Sequence, residues 1–286
     1  MIDTFTDKWI EFTKVNNNSF EILDFGKVKT LIFKDFLKYP DQLRSFVDQL
    51  KFDSACLSPY NSKPGKTYIF HPDVYSVYAK CITDTIKNTF KCDRIITEFY
   101  AINCFNGDMV SHNNFPHTDS NPPEVDVTIA ANIGLTKNLK GGTGFWSYRD
   151  KINALDMNPT DIKFYVQFLK NRQIISEQIV NEFIEYLNSN PTKKNTKFQW
   201  NQIENEGDWK LEYICPLEYN SLVLYSTLDF HNPYIKPNWY LDEDRVTISG
   251  FFDVDPESIH HECILQSSVS NLWKMFRLDT VHNIKF

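Results

Sequence analysis

The chain has 286 residues, a net charge of −7, 42% hydrophobic and 23% charged residues, and an aromatic content of 15%. That balance suits a globular chain with a sizeable core and excludes collagen, coiled coil and wholesale disorder. There is no basic tract of the kind that marks a nucleic-acid binder, and no apolar run approaches the roughly 18–20 residues of a membrane-spanning helix.

The opening MIDTFTDKWIEF lacks a basic stretch followed by an apolar one, so no secretion signal is expected. Residues 1–93 read as mixed α/β. A strand is expected at Val28–Phe33. Tyr39-Pro40-Asp41 opens a helix with Leu43, Phe46, Val47 and Leu50 on one face. Residues 67–70 read as a strand. Asp73 reads as the N-cap of a second helix that places Val74, Val77, Tyr78, Cys81 and Ile86 together.

From residue 94 the pattern turns to strands, at Ile95–Phe105, Val125–Leu135 and Gly141–Trp146, with the polar loop Asn106–Pro123 between the first two. Residues 151–208 return to helical periodicity, with start signals at Asn158-Pro159-Thr160-Asp161 and Ser176. Strands resume at Trp209–Cys215, Ser221–Tyr225 and Arg245–Val254. The helical stretch therefore reads as an insertion into one β domain and a candidate lid. The six cysteines, Cys56, Cys81, Cys92, Cys104, Cys215 and Cys263, form no CxxC, and reduced thiols in a cytoplasmic protein are expected.

An H-x-D pair beside a strand places an imidazole and a carboxylate on one face, a ligand set suited to Fe(II). Seven histidines and 37 acids in 286 residues give about one H-x-acid pair by chance. This chain has His71-Pro72-Asp73, His117-Thr118-Asp119 and His260-His261-Glu262. Asp73 has a capping role to explain it, and the last pair follows the final core strand. His117 and Asp119 sit in a polar loop between two strands, where a sheet rim would present them. For a third ligand His112 is local, whereas His231 follows the strand Ser221–Tyr225. Arg245, opening a later apolar strand, is costly to bury unless it meets an anion, and its planar fork suits a carboxylate.

These residues resemble those of the Fe(II)/2-oxoglutarate-dependent oxygenases, most of all the prolyl-4-hydroxylase-like branch. The resemblance is carried by Phe115-Pro116-His117-Thr118-Asp119, Gly141-Gly142-Thr143-Gly144-Phe145, Asn220–Tyr225 leading to His231, and Arg245-Val246-Thr247-Ile248-Ser249, over residues 94–254. It implies a mainly β fold with flanking helices: a double-stranded β-helix (jelly-roll) core, N-terminal helices and a helical insertion. It implies that His117, Asp119 and His231 are the metal ligands and catalytic centre. Arg245, helped by Thr247, would bind the far carboxylate of 2-oxoglutarate, and Tyr100 and Asn103 match positions of a second cosubstrate contact. The implied cofactors are Fe(II), 2-oxoglutarate and O2, with ascorbate as a possible reductant. The implied reaction is hydroxylation of an unactivated C–H, with succinate and CO2 as co-products. Asp119 sets the chain apart from halogenases, which lack that carboxylate. Relatives commonly carry Lys where this chain has Arg245.

The expectation is one oxygenase domain over 1–286: an N-terminal support (1–93), the core (94–255) with its insertion (151–208), and a C-terminal extension (256–286). The substrate would be an amino-acid-like small molecule or a protein side chain, and the acidic charge argues against nucleic acid. Trp146, Tyr148, Trp239 and Tyr240 flank the site strands as packing residues or as a stacking surface. The competing readings are a non-catalytic jelly-roll binding module and a cupin-like metal enzyme that does not use 2-oxoglutarate. The joint presence of His117, Asp119, His231 and Arg245 argues against the first, and Arg245 against the second.

Overall fold

The structure is a computed structural model that describes residues 4–25, 28–52, 57–58, 61–62, 66–105, 116–119, 129–152, 208–236, 239–240 and 242–254. The expected helical insertion, His112, the His260–Glu262 pair and the C-terminal extension lie outside the described residues, apart from the ends of the insertion.

The described elements are α1 (Thr4–Phe12), β1 (Glu21–Asp24), β2 (Lys29–Phe33), α2 (Pro40–Val47), β3 (Leu57–Ser58), β4 (Asn61–Ser62), β5 (Lys66–Ile69), α3 (Tyr75–Tyr78), α4 (Lys80–Phe90), β6 (Ile95–Phe105), β7 (Ile129–Gly134), β8 (Gly142–Tyr148), β9 (Trp209–Pro216), β10 (Leu222–Ser226), β11 (His231–Tyr234) and β12 (Arg245–Val254). Seven strands form one sheet in the order β1-β2-β10-β7-β12-β6-β5, three form a second in the order β11-β8-β9, and β3-β4 is a separate hairpin. Every strand pair within these sheets is antiparallel.

Period-two alternation sorts the large sheet into two faces. On the outer face Leu31, Phe33, Leu222, Leu224, Ile133, Ile102, Val246 and Ile248 pack with Trp9 of α1, Leu43 and Val47 of α2, and Ile82, Ile86 and Phe90 of α4. On the inner face Ile32, Ala130, Val223 and Tyr225 meet Phe145 and Cys215 of the small sheet. The central strands bury both faces, which explains why β2 and β10 read as continuous apolar runs. The small sheet packs tightly around β8. A Cβ on Gly142 would run into the carbonyl of Cys215, and Gly141 holds φ +78 against Tyr234.

The structure differs from the sequence reading in several places, among them β1 and the β3-β4 hairpin, which no expectation covered. Asp73 does not cap a helix. His71 caps a short 3-10 turn at Pro72–Val74, its Nδ1 accepting from the Asp73 amide at 3.3 Å. The helical stretch then breaks at Ala79 (φ −85, ψ 5), which re-phases the buried face: Cys81, Ile82 and Ile86 turn inward while Val77 stays 43% exposed. Helix α1, which no expectation covered, carries Phe5, Trp9 and Phe12 at i, i+4 and i+7, a legible helical stripe. Strand β11 was also unforeseen, because Pro233 inside it removes a backbone donor and argues against a strand.

Candidate metal centre

The segment carrying His117 and Asp119 lies beside β11 like an extra edge strand. His117 and His231 exchange both backbone hydrogen bonds, N–H to carbonyl, at 2.9 Å each, and the Asp119 amide donates to the Thr227 carbonyl at 3.0 Å. Extended backbone sends side chains 117 and 119 to one side and buries Thr118 on the other. On its far side β11 pairs with β8, His231 opposite Phe145. The register of one small sheet therefore sets where all three side chains begin.

One donor atom from each of His117, Asp119 and His231 lies within 4.8 Å of the others. His231 Nε2 stands 2.9 Å from Asp119 Oδ2, and His117 Nε2 stands 3.6 Å from Asp119 Oδ1. Ligand atoms about 2.1 Å from one metal at right angles to each other lie about 3 Å apart, so the cluster has the right scale for three ligands on one face of an ion. The His231 Nδ1–H donates to the Asp229 carbonyl at 2.8 Å, which fixes the ring and turns Nε2 toward the cluster. Asp119 Oδ2, although buried, accepts no well-formed hydrogen bond. Burial alone would push the Asp119 carboxyl up, but His231 and His117 beside it outweigh that and hold it well below the usual carboxylate range. The donor set is thus two imidazoles and an ionised carboxylate, which fits Fe(II) or a similar divalent ion.

Arg245 opens β12, an interior strand of the large sheet. It shares the inner face with Thr247 and Ser249, while Val246 and Ile248 face the helices. Its guanidinium contacts Tyr240, and its Nε is buried with no hydrogen-bond partner. A buried cationic donor left unmade costs about 1–3 kcal/mol, so this position suits an anion. Burial pulls the Arg245 guanidinium below its ordinary value, with the Tyr240 hydroxyl opposing that.

The parity of β6 separates the remaining two candidates. Asn103 lies on the inner face, opposite Thr247, and donates from Nδ2 to Ser249 Oγ at 2.9 Å. Tyr100, three residues earlier, lies on the outer face, fully buried against Trp9 and Phe70. It is not brought to the site, because residues separated by an odd number along a strand take opposite faces. Of the flanking aromatics, Trp146 is fully buried with Nε1 donating to Asn232 Oδ1 at 2.8 Å, and the Tyr148 ring lies tilted against Trp209. The Tyr240 hydroxyl is engaged by the backbone of Lys140. Trp146 and Tyr148 are packing residues, while Tyr240 also contacts Arg245. The other H-x-D pair, His71 and Asp73, lies at the surface with side chains 71% and 86% exposed.

Sequence reasoning missed Tyr225. Its ring meets His231 edge-on at 4.9 Å, and its hydroxyl lies in the electrostatic reach of both Asp119 and Arg245. Burial first, and then the Asp119 charge, push the Tyr225 hydroxyl up, so it keeps its proton. Asn132 and Ser249, which connect to it, were also missed. The signal was present: Arg245, Thr247 and Ser249 recur at every second position of an otherwise apolar strand, and Asn132 is a lone amide in another.

No family model matches the chain, and no curated protein matches it. Its solved structural neighbours include prolyl hydroxylases and 2-oxoglutarate-Fe(II) oxygenases. The viral collagen prolyl hydroxylase of Paramecium bursaria Chlorella virus-1, solved as a 2-oxoglutarate complex, aligns over 78% of this chain and 94% of its own, with 9% identity and a TM-score of 0.39. An oxidoreductase of the 2OG-Fe(II) oxygenase family from Burkholderia pseudomallei aligns over 88% and 91%, with 9% identity and a TM-score of 0.40. HygX from Streptomyces hygroscopicus, solved with nickel, 2-oxoglutarate and hygromycin B, aligns over 80% and 84%, with 9% identity and a TM-score of 0.43. A likeness this distant carries no weight in the functional assignment, which rests on the site. No helix among the described residues is long and apolar enough to cross a membrane.

Proposed function

We propose that the protein is an Fe(II)- and 2-oxoglutarate-dependent oxygenase built on a jelly-roll core. It hydroxylates an unactivated C–H of an amino-acid-like small molecule or a protein side chain. The observation that carries this reading is the convergence of His117, Asp119 and His231 beside a buried, incompletely bonded guanidinium on the facing sheet. In this reading the three residues hold the metal and leave its other positions open. Arg245 and Thr247 receive the far carboxylate of 2-oxoglutarate. Bound together, Fe(II), 2-oxoglutarate and O2 supply the oxidising chemistry, with succinate and CO2 as co-products.

The chain's own residues do the rest. The Asp229 carbonyl orients His231, the small sheet fixes the spacing of His117 and Asp119, and the buried rings of Phe145 and Tyr225 shield His231 from water. In this reading the buried thiols of Cys81 and Cys215 stay reduced, in a cytoplasmic setting. A cupin-like metal enzyme without 2-oxoglutarate would leave the buried Arg245 Nε without an occupant. The deciding experiment is anaerobic titration of the Fe(II)-loaded protein with 2-oxoglutarate, followed by succinate assay in air with pooled amino acids and ascorbate. A visible charge-transfer band on 2-oxoglutarate addition and succinate on aeration are expected. Tight metal binding with neither would overturn the assignment.

A further inference from the structure

A line of side-chain hydrogen bonds crosses the inner face of the large sheet, one residue per strand, through β5, β6, β12, β7 and β10 in their spatial order. Thr67 Oγ1 donates to Asn103 Oδ1 at 3.2 Å. Asn103 Nδ2 donates to Ser249 Oγ at 2.9 Å. Ser249 Oγ donates to Asn132 Oδ1 at 2.7 Å, and Asn132 Nδ2 donates to the Tyr225 hydroxyl oxygen at 3.2 Å. All four bonds point the same way. A serine hydroxyl has one proton and an amide has chemically distinct ends, so each bond fixes the direction of the next. Ser249 spends its proton on Asn132 and so accepts from Asn103. Asn132 spends its carbonyl on Ser249 and so presents N–H to Tyr225.

The line ends at a phenol whose oxygen already accepts. The Tyr225 proton must therefore point away from Asn132, into the space between the two sheets. There Thr143 of β8 is within hydrogen-bonding reach, and the charges of Asp119 and Arg245 both act on the hydroxyl. A satisfied polar network in a core is rigid and direction-specific, whereas apolar residues at the same positions would pack the sheets at no polar desolvation cost.

We propose that Thr67, Asn103, Ser249 and Asn132 form a positioning relay that presets the Tyr225 hydroxyl as a hydrogen-bond donor to a carboxylate or keto oxygen held between Asp119 and Arg245. The proposal deepens, and rests on, the reading of this site as one for a metal and 2-oxoglutarate. Tyr225 is the binding group, and the other four act through it or on one another.

Two measurements test the relay. The first is the NMR resonance of Tyr225 Cζ in tyrosine-labelled, Zn(II)-loaded protein without 2-oxoglutarate, assigned by its loss in Tyr225→Phe. Ser249 does not bond Tyr225 directly, yet Ser249→Ala is expected to move that resonance and Ser249→Thr, which keeps the hydroxyl, to leave it in place. Asn132→Asp, an isostere with acceptors only, draws the Tyr225 proton back and is expected to move it most. The second is 2-oxoglutarate binding to the Mn(II)-loaded protein by calorimetry. Tyr225→Phe is expected to weaken it about tenfold and Ser249→Ala about threefold, with the double variant no weaker than Tyr225→Phe alone and metal affinity unchanged in Ser249→Ala. A Tyr225 resonance indifferent to Ser249→Ala, or additive losses in the double variant, would overturn the relay. A wild-type protein that binds metal but no 2-oxoglutarate, while Tyr225 still follows Ser249, would uphold the relay and overturn the proposed cosubstrate.

Discussion

Replacing Arg245 by Met separates a ligand-binding role from a structural one, because the two roles predict opposite signs for stability. The guanidinium is buried at Nε without a partner and is held through its contact with Tyr240. An unmade charged donor costs about 1–3 kcal/mol, while the lost contact with Tyr240 returns about 1 kcal/mol. An apolar side chain of similar reach should therefore leave the ligand-free protein as stable as wild type, or up to about 2 kcal/mol more stable. Ligand binding should move the other way. Loss of a bidentate charge-assisted pair costs about 3 kcal/mol, which raises the dissociation constant for 2-oxoglutarate about a hundredfold. At a concentration 100 times the wild-type constant, the ligand stabilises wild type by about 2.7 kcal/mol but the variant by only about 0.4 kcal/mol. Chemical denaturation of the Mn(II)-loaded proteins with and without 2-oxoglutarate reads both quantities. An Arg245→Met protein that loses more than about 1 kcal/mol without ligand, yet is stabilised by 2-oxoglutarate as wild type is, would show that Arg245 serves the fold and that the anion site is elsewhere.

His231→Ala and Asp119→Ala should each abolish stoichiometric Fe(II) or Mn(II) binding and succinate formation. Retained metal in either, measured after dialysis, would break the ligand assignment. Asn220 holds φ 57 and ties Leu37 on both sides, its Oδ1 accepting from the Leu37 amide at 2.9 Å and its Nδ2 donating to the Leu37 carbonyl at 3.0 Å. Asn220→Gly keeps the backbone and should cost about 1–2 kcal/mol, whereas Asn220→Ala adds strain and should cost about 1 kcal/mol more, both read by denaturant midpoint. Burial pushes the Cys81 thiol up to about 12 and the Cys215 thiol up to about 11, the latter eased by a hydrogen bond to Thr30. The native state holds both protons after the unfolded chain has lost them, so this contribution is intact below about pH 8.5 and is lost progressively from there toward pH 11–12. Peptide mapping after iodoacetamide at pH 8 should find both residues unmodified in the folded protein and modified in urea. Rapid native labelling of Cys215 would contradict its burial.

The local rules carried far along this chain. Strand runs at 29–33, 95–105, 142–148, 209–216, 222–226 and 245–254 were legible because apolar and β-branched residues dominate them. The H-x-D pair at 117 and 119 was legible because alternation alone puts the two side chains on one side. The same alternation contains the evidence against Tyr100 as a partner of Asn103, since 100 and 103 cannot share a face. What sequence could not supply was which strands neighbour which. His117 meets His231 only because the H-x-D segment pairs with β11, a strand that Pro233 disguises. Ser249 lies 117 residues from Asn132 and 146 from Asn103, yet these three and Tyr225 form one continuous line of hydrogen bonds. Side-chain type and periodicity are local properties, and they determined the elements and the kinds of ligand. Proximity between distant strands is set by sheet order and register, which depend on how the whole core packs. The tertiary structure therefore decided that three candidate ligands, one guanidinium and one phenol face the same space.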